Sequence, residues 1–164
     1  MITLRLIAAT LVIALAGSLA SCATTKEDFM TPDEAQQQVV EILEGTMIAS
    51  GATDWVPDRK GLAIPQECVR NGQSGVAFGH GAYTTTLGSD PLADAQRVAD
   101  YWETLGIRSR LVTDPVPRVF GEGGPVNAIS FSTAPTYATS VGGPCVPGNP
   151  YDFYDQTPTP RPWP

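Results

Sequence analysis

Residues 90–113 read DPLADAQRVADYWETLGIRSRLVT, and the period of their apolar side chains changes part-way along. Leu92, Ala95, Val98, Ala99, Trp102 and Leu105 recur at steps of three and four, the spacing of one helical face. Asp90 or Ser89 supplies an N-cap, Pro91 suits the first helical position, and Gly106 stops the helix. From Ile107 to Thr113 the pattern steps by two: Ile107, Ser109, Leu111 and Thr113 oppose Arg108, Arg110 and Val112. That is the period of a strand. A helix over Pro91–Leu105 feeding directly into a strand makes this an α+β chain.

Working outward, two more β-like segments follow, Asn127–Ser132 and Tyr137–Val141, with a short one at Val119-Phe120 before the turn Gly121–Pro125. On the other side, Gly75–Tyr83 has β character, with Val76, Phe78, His80 and Ala82 on one face. Its glycines predict a bulge or a close backbone approach. Residues 51–66 read as a loop with at most one short strand, and Asn71-Gly72 as a turn. Before them, Thr31-Pro32-Asp33-Glu34 is a capping box with proline at the first helical position. Ala35, Val39, Ile42, Leu43, Met47 and Ile48 then form one stripe, and Gly51 ends it. This predicts an amphipathic helix over Pro32–Ser50. Its polar face carries Asp33, Glu41 and Glu44 with no Lys or Arg, the wrong sign for a membrane-surface helix, so the stripe is read as core-facing. Strands joined by short turns pair antiparallel. The expected architecture is a two-layer sandwich over residues 31–147. Two helices pack on one face of a mainly antiparallel sheet of about four to five strands.

The composition suits a single domain. Hydrophobic residues make up 42% of 164, enough for a core, whereas 16 Gly and 15 Pro demand many turns. The net charge of −7 argues against nucleic acid, which needs a basic surface.

Residues 1–21 place Arg5 ahead of an apolar run from Leu6 to Ala16, and small residues follow. Those 11 residues span only about 16 Å as a helix, against a bilayer core of about 30 Å. A charged start, a short apolar centre and a small-residue end describe a secretory signal peptide. The end, Leu19-Ala20-Ser21-Cys22, resembles the bacterial lipobox. The resemblance implies cleavage before Cys22 and transfer of a diacylglycerol to its thiol. The alternatives are ordinary signal-peptidase cleavage near Ala20 or Ala23, which leaves Cys22 a plain thiol, and an uncleaved anchor. Two or three acyl chains, at about 0.8 kcal/mol per buried CH₂, attach a protein stably. An acidic chain needs such an anchor, because anionic lipid does not attract it. Residues 22–30 then act as a polar tether, and Phe29 or Met30 is placed to staple the first helix.

With Cys22 assigned to lipid, Cys68 and Cys145 remain, and an exported chain permits their pairing as a disulfide. The residues after Val146 hold six prolines among the last 19 residues of the chain. They exclude helix and central strand, so residues 148–164 are read as an extended tail presenting Tyr151, Phe153, Tyr154 and Trp163.

Candidate catalytic groups are few. His80, in Gly79-His80-Gly81, is the only histidine and has the residue type of a base or metal ligand, though packed histidines are commoner. Gly121–Pro125 lacks the Lys and Ser/Thr of a phosphate loop and is read as a turn. Asp54, Asp58 and Asp114 do not have metal-ligand spacing. Trp55, Tyr101 and Trp102 are read as core in preference to a ligand pocket. No motif calls for a cofactor or a metal.

The lipobox, the stretch Ala95–Ile107 (AQRVADYWETLGI), the glycine turn and Cys145-Val-Pro-Gly148 together resemble small, largely uncharacterised lipoproteins of the actinobacterial cell envelope. The resemblance implies the outer face of the plasma membrane and no catalytic residue. The expected function is a membrane-anchored, non-catalytic binding or interaction domain for an envelope protein or small ligand. Two alternatives are an accessory subunit docking through the tail, and an envelope hydrolase using His80 with a nearby carboxylate.

Overall fold

Thr31 caps the first helix as its spacing from Glu34 predicts. Its hydroxyl accepts the Glu34 N–H at 3.3 Å, and the Glu34 carboxylate accepts the Thr31 N–H at 2.8 Å. That second bond holds the Glu34 carboxyl below its ordinary pKa. In the computed structural model, which describes residues 30–156 and 162–164, helix α1 spans Pro32–Ser50 and ends on Gly51 at φ 75°. Helix α2 spans Pro91–Thr104, capped by Asp90, whose carboxylate accepts the Ala93 N–H.

Seven strands form one open antiparallel sheet: β1 (Val56–Pro57), β2 (Ile64–Arg70), β3 (Gln73–Thr84), β4 (Arg108–Val112), β5 (Arg118–Gly123), β6 (Val126–Ser132) and β7 (Tyr137–Gly142). The order is β1-β3-β7-β6-β5-β4, and β2 shares with β1 the outer edge of the long β3. The expectation of four to five strands is corrected to seven. Strand β1 is only two residues long, too short for any periodicity. Strand β2 reads IPQECVR, without alternation of apolar residues. Gly121–Gly123, read as turn, belongs to β5, where the register shifts between Gly121 and Gly123.

Register sorts the sheet into two rows. Phe78, His80, Ala82, Tyr137, Thr139, Val141, Ile129, Phe131 and Val119 share one face and are buried. Helix α1 contacts β3 and β7, helix α2 contacts β4 and β5, and the helices touch each other. Trp102 and Ile107 press so closely on Gly121 that a Cβ there would lie within 3.0 Å of both. Trp55, offered by the sequence as core or pocket lining, is buried with them.

One polar cluster is built into this core. Asp94 is 4% exposed. Its carboxylate accepts the Tyr137 hydroxyl at 2.6 Å and the Arg97 guanidinium at 2.6 Å. Arg97 also donates to the carbonyls of Ala49 and Ser50, so it joins the end of α1 to the start of α2. The Arg97 end is half exposed and screened by salt, whereas the Tyr137 end is dry. Asp94→Ala strands the buried hydroxyl and is expected to lower stability by about 2–4 kcal/mol in urea denaturation. Burial, and then the bond to Asp94, hold the Tyr137 hydroxyl well above its usual pKa. A raised folded-state value stabilises fully below the unfolded one, about 10, and that contribution fades as pH rises past it. Tyr137→Phe should therefore flatten the alkaline loss of stability.

The chain beyond β7 runs back along β3. Gly143 N–H donates to the Phe78 carbonyl, and Val76 and Val146 exchange backbone hydrogen bonds at 2.9 Å. Asn149 caps a 3₁₀ turn at Pro150–Phe153. Tyr151 and Tyr154 are exposed, as the extended-tail reading has them, but Phe153 and Trp163 pack against the core. Phe153 meets Phe78 edge-on at 5.1 Å, Trp163 meets His80 at 5.7 Å, and the Trp55 N–H donates to the Pro164 carbonyl. Proline bars this segment from the ladder but leaves its aromatic rings free to dock on a side-chain row. No helix among the described residues is long and apolar enough to cross a membrane.

Candidate functional site: a cleft on the sheet

The second row of the sheet is made largely of small residues. Gly79 and Gly81 of β3 pair with Gly142 and Ser140 of β7, which pair in turn with Ala128 and Ser130 of β6. Large side chains rise on both sides of this strip. Ile64, Gln66 and Asp58 flank it beside β3, and Arg108, Arg110, Phe120 and Glu122 flank it on β4 and β5. The result is a cleft of about 840 Å³, of a size that takes a drug-sized ligand or a short extended chain.

Each wall is positioned locally. Gln66 and Asp58 lean over Gly79 and Gly81, where a Cβ would meet them at 3.4 and 2.5 Å. This is the close approach that glycine inside a strand predicts. Arg108 faces Glu122 across the β4–β5 pair at 3.1 Å. Arg110 lies over the Phe120 ring, 5.1 Å from its centroid, and Phe120 is 40% exposed. A guanidinium held on a ring loses little freedom when it engages a carboxylate. Ser130 and Ser140 share a hydrogen bond of 2.8 Å in the floor. The cleft thus offers guanidinium, carboxylate, hydroxyl, amide and aromatic groups, a set that recognises a ligand through hydrogen bonds, charge and stacking.

The residues singled out from the sequence fall elsewhere. Cys22 lies outside the described residues. Cys68 and Cys145 form a disulfide, with Cα atoms 5.9 Å apart. It fastens β2 to the segment that returns along β3, and it crosses Gly75, where a Cβ would lie 3.2 Å from the Cys145 sulfur. His80 borders the cleft, but its register places it in the buried row beside Val141, and it is 4% exposed. Its Nδ1 accepts the Gly81 N–H at 2.9 Å. Trp102 is fully buried. Tyr101 borders a separate hollow with Gln38, Glu41 and Pro125. Among the described residues no group of three His, Cys, Asp or Glu side chains is placed to hold a metal ion.

Arg108, Arg110 and Phe120 were legible only as strand alternation. The available signal was composition: the polar side of that alternation holds two arginines, and β6 and β7 put only Gly, Ala and Ser on the same side. No protein-family model matches this chain, nor does any curated protein or solved structure.

Proposed function

We propose that this chain is a lipid-anchored binding domain of the outer face of a plasma membrane, non-catalytic, that holds its ligand in the cleft on the sheet. In this reading both helices cover one face as a two-layer sandwich and leave the small-residue face to the ligand. The observation that carries it is the cleft itself: a strip of Gly, Ala and Ser walled by Arg110, Phe120, Gln66 and Asp58. The solvated face of an antiparallel sheet ordinarily carries polar side chains, whereas the centre of this one is a strip of Gly, Ala and Ser. Anchoring rests on the lipobox at Leu19–Cys22, with residues 22–30 as tether. The likeness to actinobacterial envelope lipoproteins and the Cys68–Cys145 disulfide support an oxidising, exported setting. The accessory-subunit reading draws less support, because Phe153 and Trp163 of the tail pack on the chain's own core.

Two substitutions test the halves of this reading. Cys22→Ser should move the protein from the membrane fraction to the soluble fraction of a bacterial host. Unchanged membrane partition would overturn the anchor. Ser140→Trp fills the floor of the cleft from an exposed position. Native mass spectrometry of protein drawn from its own envelope should show a bound mass that this variant lacks. An identical mass in both, or none in either, would overturn the cleft.

A further inference from the structure

We propose that the free edge of β4 receives an extended acidic polypeptide segment, which adds to the sheet as a further strand and lays alternate carboxylates against Arg108 and Arg110 at the rim of the cleft. This rests on the cleft being a binding site and names the class of its ligand.

Strand β4 ends the strand order; its other contacts are with β5 and α2, and no described strand pairs its outer edge. Such an edge presents unpaired N–H and C=O groups, a template for another strand. Residues two apart on a strand share a face, so Arg108 and Arg110 stand side by side on the cleft face of this edge strand, leaning on Glu122 and the Phe120 ring of β5, with Arg118 on the same face of β5. Their spacing matches the period of an incoming strand, which places a side chain opposite each of them. The sheet already uses this geometry on the inner side, where Glu122 lies directly across from Arg108 at 3.1 Å. An acidic residue on an added strand takes the equivalent position on the outer side.

Charge decides the occupant. The chain carries −7 overall, yet three of its ten basic residues gather on these two strands. Among the described residues Arg110 and Arg118 have no carboxylate within ion-pair distance. Arg110 is already oriented by Phe120. A second copy of the chain is disfavoured, because antiparallel pairing of two β4 edges sets arginine against arginine, and like charges directly opposite destabilise. An anionic glycan satisfies the arginines but not the backbone edge.

The test uses the full lipidated chain in non-ionic detergent and a fluorescent, end-blocked heptapeptide of alternating Thr and Glu, followed by anisotropy. Three competitors accompany it: a peptide of the same composition with its Glu residues contiguous, the alternating peptide N-methylated at every second amide, and a short oligogalacturonate. The alternating peptide should bind, more weakly as salt rises. Arg110→Ala, an exposed truncation outside the core whose folding is checked by its thermal melt, should weaken it about tenfold. N-methylation should abolish it. Equal binding of the contiguous peptide, indifference to N-methylation, or displacement by oligogalacturonate at lower concentration each overturns the proposal. Absence of peptide binding overturns it too. If Ser140→Trp still removes a bound mass in that case, the cleft stands and only the ligand class falls.

Discussion

Trp102→Ala is expected to lower stability by about 3–5 kcal/mol, the range for emptying the site of a fully buried aromatic residue. Trp102 is 0% exposed. Its indole N–H donates to the Thr46 hydroxyl at 2.9 Å, and that hydroxyl donates in turn to the Ile42 carbonyl at 2.8 Å. One ring therefore ties α2 to α1 while its other edge presses on Gly121 of the sheet. Local collapse cannot refill the space. Gly121 has no side chain to advance, and the neighbouring Ile107 and Ile129 already lie 2.8 Å from where its Cβ would be. Trp102→Phe separates the two contributions. It keeps most of the apolar volume and loses the hydrogen bond, so a loss of about 1–2 kcal/mol is expected. Urea denaturation followed by far-UV circular dichroism checks both, with the slope against urea unchanged if only stability moves. A loss below about 1 kcal/mol for Trp102→Ala would mean that α2 is not packed as described.

What the sequence disclosed, and what it did not, follows the range of the interactions involved. Helix α1 was readable to its last residue, Pro32–Ser50, because its ends are set by local chemistry: the Thr31–Glu34 box and the left-handed Gly51. Helix α2 differs from its expected span by one residue for the same reason. Strands β3, β6 and β7 showed through as alternation, since each carries a buried row. Strands β1 and β2 did not, because they are edge pieces whose existence depends on β3 lying beside them. The disulfide was readable on the expectation that Cys22 carries lipid, which leaves two cysteines for one bond. The cleft was hidden. Its floor draws on three strands, and its walls are set by β4 and β5 on one side and by β2 and the turn at Asp58 on the other. The glycines of β3 predict places of close approach, but nothing local says that Gln66 and Asp58 are what approaches. Likewise, proline content argues against a ladder role for the tail, yet does not disclose that Trp163 meets His80.

Removing the disulfide with Cys68→Ala and Cys145→Ala together is expected to lower stability by about 2–5 kcal/mol. The bond joins residues 77 apart in sequence, and in the chain-entropy account closing such a loop restricts the unfolded chain by about 4–5 kcal/mol, an upper value. Against a total of about 5–15 kcal/mol for a domain, that is a large share. The location makes the loss specific. The bond fastens edge strand β2, whose exposed pattern supplies little burial of its own, to the segment that pairs Val146 with Val76. Without it, β2 and the returning segment are held by backbone pairing, the Val146 contact, the Phe153 ring on Phe78 and the exposed Tyr151 hydroxyl donating to Glu67 at 3.2 Å, while the rest of the sheet keeps its core. Hydrogen exchange should therefore rise first in residues 64–70 and 143–150, and the denaturation midpoint should fall by the same amount on reduction as in the double variant. Faster exchange of the same size across β5, β6 and residues 64–70 and 143–150 would contradict this, because the global loss of stability reaches every core amide and only an excess at that edge marks the bond as a clasp. The single variants distinguish a further point. Each leaves an unpaired thiol beside Gly75 and should match the double variant within about 0.5 kcal/mol, since neither sulfur has another role in the contacts described.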